Sequence, residues 1–222
     1  MDNSLLRLLH LVSPTLPTGA FSYSQGLEWA VEGGWVTDME SLESWLLDLA
    51  RNSMARVDIP LLQRMYGAVD AADPAELEQW TQVLLACRES SELQEEEATR
   101  GRAMATLLAN LGLLDGRIAR ELLKRSQLAG YVLAAWKWRI ELEHAAQGYL
   151  WAWLENQVIT GIKIVPLGQT QGQQVLLRLS AELPAIVERG LKVADGEIGA
   201  SSPAFGLACS LHESQYTRLY RS

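Results

Sequence analysis

Histidine and cysteine, which commonly bind metal ions, are scarce in this sequence. Three histidines and two cysteines occur among 222 residues, and Cys209 and His212 are three positions apart. On a helix this spacing places both side chains on one face, where they could share a metal ion, and His10 of a second subunit could join them. A closed metal site needs about four ligands. We therefore rank Cys209 and His212 as weak metal candidates, behind the interpretation that each histidine is packed or at the surface.

An acidic segment, residues 88–101, is the second place where chemistry could occur. Its sequence, RESSELQEEEATRG, contains five glutamates, and paired carboxylates can act as acid and base. The stronger interpretation is structural: Glu92, Glu95 and Glu96 stand at helical pair spacing from Arg88 and Arg100 on a solvated face. The motifs typical of nucleotide-binding, zinc-protease and serine-hydrolase sites are missing from the sequence. We therefore predict a protein that is not an enzyme, with an all-α hydrolase as the remaining enzymatic alternative.

The amino-acid composition limits the classes of molecule that this chain can bind and the compartment in which it works. The formal net charge is −8, which disfavours nucleic acids and anionic membranes, because proteins that bind phosphates concentrate lysine and arginine on one face. Two cysteines 122 positions apart indicate neither a disulfide framework nor a thiolate zinc site. The sequence shows no secretion signal and no apolar run of the ~18 residues that a membrane helix needs. These features predict a cytoplasmic protein.

Helical periodicity dominates the chain and predicts an all-α fold: a single domain over residues 1–222, built as a bundle of about ten helices. Thr37 with Glu40 resembles a capping box, and Asp73 followed by Pro74 is a second helix start. Only Ile162 to Val165 resembles a strand. Further helices are predicted at 88–111, at 127–138, at 142–163, which we expect to be central, and at 169–180, with two more starting near Pro184 and Pro203.

Two segments combine polar and aromatic residues as interfaces do. Prolines and a glycine at 14–19 fix a turn, and we expect Ser22, Tyr23, Ser24 and Glu28 to project from the first two turns of the next helix, as caps or as contacts. The second segment, residues 212–222, is here called the tail. Its residue types favour ordering on contact with another chain over disorder.

Three stretches together resemble the urease accessory protein UreF family. They are SPTLPTGAFSYSQGLEWAVEGGWV, GYLWAWLENQVITGIKIVPLGQTQGQQVLL and HESQYTRLYRS, which contain that family's N-terminal signature, central helix and closing segment. The resemblance runs in order from about Leu5 to Ser222. One such motif is weak evidence, but three in order are specific.

This resemblance implies an all-helical homodimer without a reaction of its own. The family would join a UreD-type protein, also called UreH, and a nickel-carrying UreG-type GTPase to apo-urease, and would modulate the GTPase while the dinickel centre is built. No cofactor is expected in this chain, since nickel is handled by the complex and GTP is bound by the partner. The alternative function is a direct nickel-binding carrier.

The resemblance also implies contact residues, although the same side chains could serve as caps or packing. Lys163, with Glu28, Asp58 and Glu92, is expected to line the face that meets the GTPase, and Arg218 is the tail residue in which we place most weight. The full set expected at partner or dimer interfaces is Ser22, Tyr23, Ser24, Glu28, Asp58, Glu92, Lys163, His212, Glu213, Tyr216, Arg218, Leu219, Tyr220 and Arg221.

Overall fold

The computed structural model describes residues 3–116, 118–200 and 202–222. About 69% of the chain is helical, and the described residues form a single helical domain without strands. The α-helices are α1 (Ser4–Leu11), α2 (Leu27–Glu32), α3 (Met39–Leu49), α4 (Asp58–Asp70), α5 (Pro74–Ala86), α6 (Ser91–Asn110), α7 (Arg120–Leu123), α8 (Gln127–Lys137), α9 (Leu142–Ile164), α10 (Gln169–Ser180), α11 (Leu183–Leu191) and α12 (Pro203–His212). The predicted all-α class is confirmed, with more helices than expected.

The core forms around α8 and α9. Residues 127–135 of α8 are all buried, because α4 and α6 pack against this helix. Helix α9 contacts α10, α11, α4 and α2, and its apolar residues therefore occupy most of its circumference. The expectation that 142–163 forms a central helix is confirmed. No helix in the described ranges is long and apolar enough to cross a membrane.

Local capping chemistry sets several helix boundaries. Asp73 accepts hydrogen bonds from the backbone of residues 75 and 76, and Pro74 occupies the first turn of α5, as predicted. The predicted cap at Thr37 is wrong, because Asp38 is the N-cap of α3 and exchanges hydrogen bonds with Ser41. Helix α6 begins three residues later than predicted, because the Ser90 hydroxyl accepts from the N–H of residue 93 and caps it.

The suggested strand at Ile162 to Val165 is wrong. Its first three residues complete the last turn of α9, and Val165 is the extended C-cap residue of that helix. A short run of β-branched residues does not distinguish a buried helix end from a strand by pattern alone.

The segment before α2 also differs from the prediction. Ser22 ends a 3₁₀ turn that spans Ala20–Ser22, and Tyr23 is extended, so only Glu28 lies in the first turn of a helix. Gln25 and Gly26 both have left-handed backbones, with φ of 53° and 76°. This conformation is costly for glutamine and cannot continue a right-handed helix, so α2 starts only at Leu27.

Candidate functional site: the docked tail

The tail lies against the segment that precedes α2, nearly the whole length of the sequence away. The Ser222 carbonyl oxygen accepts hydrogen bonds from the backbone N–H groups of Ser24 and Gln25 at 2.8 and 2.9 Å, and from the Ser24 hydroxyl. In the opposite direction, the N–H of Arg221 donates to the Ser22 carbonyl at 2.9 Å. Within a single copy of the chain, the tail therefore contacts its own N-terminal segment. That the tail becomes ordered on contact with another chain stays a prediction.

The carboxylate of Glu28 holds the middle of the tail. It accepts the backbone N–H of Leu219 at 2.7 Å and that of Tyr220 at 3.0 Å. One of its oxygens also lies 3.2 Å from Nε2 of His212. Glu28 is buried, so these donors replace the water that a carboxylate would otherwise bind.

Helix α6 supplies the second carboxylate. Glu92 lies 2.6 Å from Nδ1 of His212, and its other oxygen pairs with Arg218. We call Glu28, Glu92, His212 and Arg218 the tail-docking cluster. His212 is completely buried, so this cluster is an internal link between α2, α6, α12 and the tail.

Glu213 adds a further contact between the tail and α6, nearer the protein surface. Its carboxylate accepts the backbone N–H of Ser91 at 2.8 Å and the hydroxyl of Ser91 at 2.7 Å, at the first turn of α6. The hydrogen bond from the Ser91 side chain is the largest of the influences that lower the pKa of Glu213. An anion at a helix N-terminus is also favoured by the helix dipole.

The docked backbone leaves two large side chains pointing outward. Tyr216 is fully exposed and Leu219 is 76% exposed, whereas Tyr220 is buried. Exposed tyrosine and leucine on a fixed backbone can contact a second protein without the entropic cost of ordering the chain.

A second polar network lies deeper, behind α6. Arg88 donates to both oxygens of Asp58, at 2.7 and 3.3 Å, and to Glu97 at 3.0 Å. Burial by itself would raise the pKa of Glu97, but Arg88 and the N–H of Leu128 lower it below its ordinary value. Tyr149 donates its hydroxyl to Asp58 at 3.2 Å, and burial together with this carboxylate raises the pKa of Tyr149. All these charges are compensated internally.

Gln25 connects this interior to the N-terminal segment. Its side-chain oxygen accepts from Nε1 of Trp153 at 2.8 Å, and its amide nitrogen donates to Glu96 at 2.9 Å. Beside these groups is a cavity of about 150 Å³, lined by residues of the N-terminal segment, of α6 and of α9. The left-handed backbone of Gln25 is thus compensated by side-chain contacts to two helices.

The acidic segment is only partly as predicted. Glu96 and Arg100 form the expected pair at 2.7 Å, but Glu96 is 3% exposed and Glu97 6% exposed, so of the three glutamates predicted on a solvated face only Glu95, which pairs with Arg102, is exposed. Arg88 turns away from Glu92 to Asp58 and Glu97.

The weak metal candidates are not arranged as ligands. Both ring nitrogens of His212 face carboxylates, and Cys209 is buried, with a thiol pKa that burial raises well above its ordinary value. Across the described ranges, no three histidine, cysteine or acidic side chains are grouped so as to hold a metal ion. His10 stacks on Trp138, with ring centroids 5.6 Å apart.

The other two residues predicted to meet the GTPase differ in how far they are exposed to solvent. Asp58 lies in the interior, while Lys163 is exposed in the last turn of α9. Their role at an interface stays a prediction. Sequence reasoning missed Gln25 and Ser222, and the only signal for either was its place inside a motif, Gln25 in the N-terminal signature and Ser222 at the end of the closing segment.

Comparison with known proteins identifies the chain's relatives. A family model described as UreF matches residues 36–180. "Urease accessory protein UreF" of Alcanivorax borkumensis is 46% identical over 100% of both chains, and that of Alkalilimnicola ehrlichii is 46% identical over 97% of this chain and 95% of its own. That of Klebsiella pneumoniae is 44% identical over 98% of this chain and 97% of its own.

The chain belongs to the UreF family. The resemblance read from three motifs is confirmed, and the fold shows how these motifs relate in a UreF chain. Ser24 of the first motif binds Ser222 of the last, and Gln25 binds Trp153 of the central one. The three motifs of this UreF protein therefore form one contact network.

Proposed function

We propose that this protein is a non-enzymatic scaffold for urease maturation that bridges a UreD-type (UreH-type) protein and a UreG-type GTPase to apo-urease. It modulates the GTPase during assembly of the nickel centre and works in the cytoplasm as a homodimer. The observation that carries the proposal is identity of 44–46% to urease accessory proteins over nearly the whole of both chains.

The surface of the chain is consistent with several protein contacts. On α1, Leu5, Leu6 and Leu9 are 66%, 65% and 57% exposed, and a cluster of exposed leucines is typical of an interface. The docked tail adds Tyr216 and Leu219 at a separate place in the sequence. We assign the tail to the UreD-type partner and α1 to the dimer.

The test is co-purification after co-expression with the UreD-type protein, the UreG-type GTPase and apo-urease. We compare Leu219→Asp with Leu177→Asp, because Leu177 on α10 is similarly exposed, at 74%, and lies outside the tail. Leu219→Asp is expected to reduce the retained UreD-type protein about tenfold or more, as for an apolar interface residue. Leu177→Asp should retain it like the wild type.

Each negative result has a separate meaning. A wild-type chain that retains neither accessory protein would refute the scaffold proposal. Equal retention by Leu219→Asp and Leu177→Asp would refute only the assignment of the tail. Light scattering of the purified chain tests the homodimer, which should have twice the 24.6 kDa mass of one chain.

A further inference from the structure

The ring of His212 is held by acceptors on both sides. Nδ1 lies 2.6 Å from Glu92 and Nε2 lies 3.2 Å from Glu28, and both carboxylates come from other helices. A neutral imidazole has one N–H donor and one acceptor nitrogen, whereas imidazolium has two donors. An ionised carboxylate can only accept a hydrogen bond. Both contacts are therefore satisfied together only when the ring carries two protons.

The surroundings of the two carboxylates are those of ionised groups. Glu28 accepts two backbone N–H groups of the tail, and Glu92 pairs with Arg218. Such donors stabilise the charged form of a carboxylate. A proton on the histidine, rather than on either acid, therefore fits the geometry.

Among the described residues, two arginines already balance acids around the ring, since Arg218 pairs with Glu92 and Arg100 pairs with Glu96. The titratable groups that face this site are Glu28 from α2, Glu92 and Glu96 from α6, Glu89 from the loop before α6, Cys209 from α12, Glu213 after it, and Arg218 and Tyr220 from the tail. Burial raises the pKa of both the Cys209 thiol and the Tyr220 phenol, which leaves both neutral. Arg218 pairs with Glu92, and a protonated His212 ring would be the second cation that the tail side offers to these acids.

We propose that His212 is a positioning residue whose protonated ring fastens the tail to α2 and α6, so that the tail is docked when the ring is charged and released when it is neutral. Loss of the proton leaves one ring nitrogen as an acceptor that faces a carboxylate at hydrogen-bond distance. The same carboxylates hold Arg218, Leu219 and Tyr220, so weakening the ring contacts weakens tail docking. The proposal concerns this chain alone and does not depend on its role in urease maturation.

Amide hydrogen exchange of the tail gives the direct measurement. At each pH, the exchange rate of the Leu219 or Tyr220 amide in a synthetic peptide of residues 213–222 is divided by the rate of the same amide in the protein. This ratio is the protection of the amide, and it cancels the intrinsic effect of pH. Between about pH 6 and pH 9, the range that spans histidine titration, the protection of these amides should fall about tenfold or more. The amides of α9 should stay protected, because they report opening of the whole fold.

Two histidine variants separate the ring's charge from other causes. His212→Gln should show weak tail protection that no longer changes with pH. His144→Gln is the matched control, because the side chain of His144 is 62% exposed at the start of α9, and it should behave as the wild type. A wild-type tail with pH-independent protection, or a His212→Gln tail that keeps the wild-type dependence, would overturn the proposal.

A further variant and a spectrum keep the proposal testable if His212→Gln does not fold. In Glu92→Gln, the amide side chain can either accept a hydrogen bond from the His212 ring or donate one to it. A neutral ring therefore keeps this contact, and the pH at which the tail is released should be lower than in the wild type. In the wild type, the nitrogen chemical shifts of the His212 ring at about pH 6 should be those of imidazolium. An unchanged release pH in Glu92→Gln, or a neutral ring at that pH, would contradict the assignment.

Discussion

Arg88 is a charged residue that lies in the interior of the protein and is paired there with two carboxylates. Its guanidinium is shared between Asp58 and Glu97, whose side chains are only 4% and 7% exposed. Both acids raise the pKa of Arg88 against the opposing effect of burial, so the arginine is always charged. Arg88 is the cation that both buried acids of this trio share, and Tyr149 adds a hydrogen bond to Asp58 as the N–H of Leu128 does to Glu97.

Replacement of Arg88 by methionine should therefore be strongly destabilising. The variant keeps much of the apolar volume but leaves two buried carboxylates without a cation, which costs about 3–5 kcal/mol in the free energy of unfolding. Urea denaturation at neutral pH measures the loss. Arg189→Met is the control, since Arg189 is exposed on α11 and should change stability by less than about 0.5 kcal/mol. Equal stability of the two variants would show that the trio contributes nothing.

At the scale of elements, close approach of backbones fixes how α6 packs against the segment that enters α8. A Cβ atom on Gly101 of α6 would lie 2.8 Å from the backbone nitrogen of Ser126 and 2.9 Å from the carbonyl oxygen of Lys124. Backbone atoms cannot rotate away as a flexible side chain can. Glycine is required here for space, despite its poor helix propensity.

Two glycine-to-alanine changes should have opposite signs. Gly101→Ala should lower the free energy of unfolding by about 2 kcal/mol or more, because α6 must move away from its neighbour. Gly67→Ala in α4 has no atom within 4 Å of the new Cβ and should stabilise the protein by about 0.5–1 kcal/mol. Thermal unfolding of both variants measures the difference. Two changes of the same sign would contradict the packing argument.

The elements were predicted from sequence where the information is local. Asp73 with Pro74 gave the start of α5, and the spacing of Glu96 and Arg100 gave a real ion pair. Sequence spacing did not reveal that this pair is buried, nor that Arg88 prefers Asp58, 30 residues away. The candidate site was predicted as two separate segments. Their mutual docking depends on contacts between distant positions, which helical periodicity does not encode.

On the scale of the whole molecule, the tail meets the segment that precedes and begins α2. Ser24 and Ser222, 198 positions apart, share buried hydrogen bonds, and Glu28 reaches Leu219 across 191 positions. Most of the hydrophobic core lies between these partners in sequence, and neither Ser24, Glu28 nor Ser222 is part of it. We therefore expect the tail to add stability to the fold without being needed for its formation.

Deletion of residues 213–222 tests this expectation. Glu28 would lose two charge-assisted hydrogen bonds, and water would compensate only in part, so the free energy of unfolding should fall by about 2 kcal/mol. For a protein of this size, Tm should fall by about 4–8 °C. Far-UV circular dichroism should still show a helical protein that unfolds in one transition. Loss of the helical signal would mean that the tail is required for folding, and an unchanged Tm would mean that it does not dock.

The long separation between Glu28 and its tail partners has a consequence during synthesis of the protein. Glu28 leaves the ribosome 191 residues before Leu219, which at ordinary elongation rates is an interval of about 10 to 40 s. Throughout this interval, α2 and the loop before it are part of the nascent chain, but the tail that covers them has not yet been made. The N-terminal signature is translated early, yet it is among the last parts of the polypeptide to reach its mature surroundings.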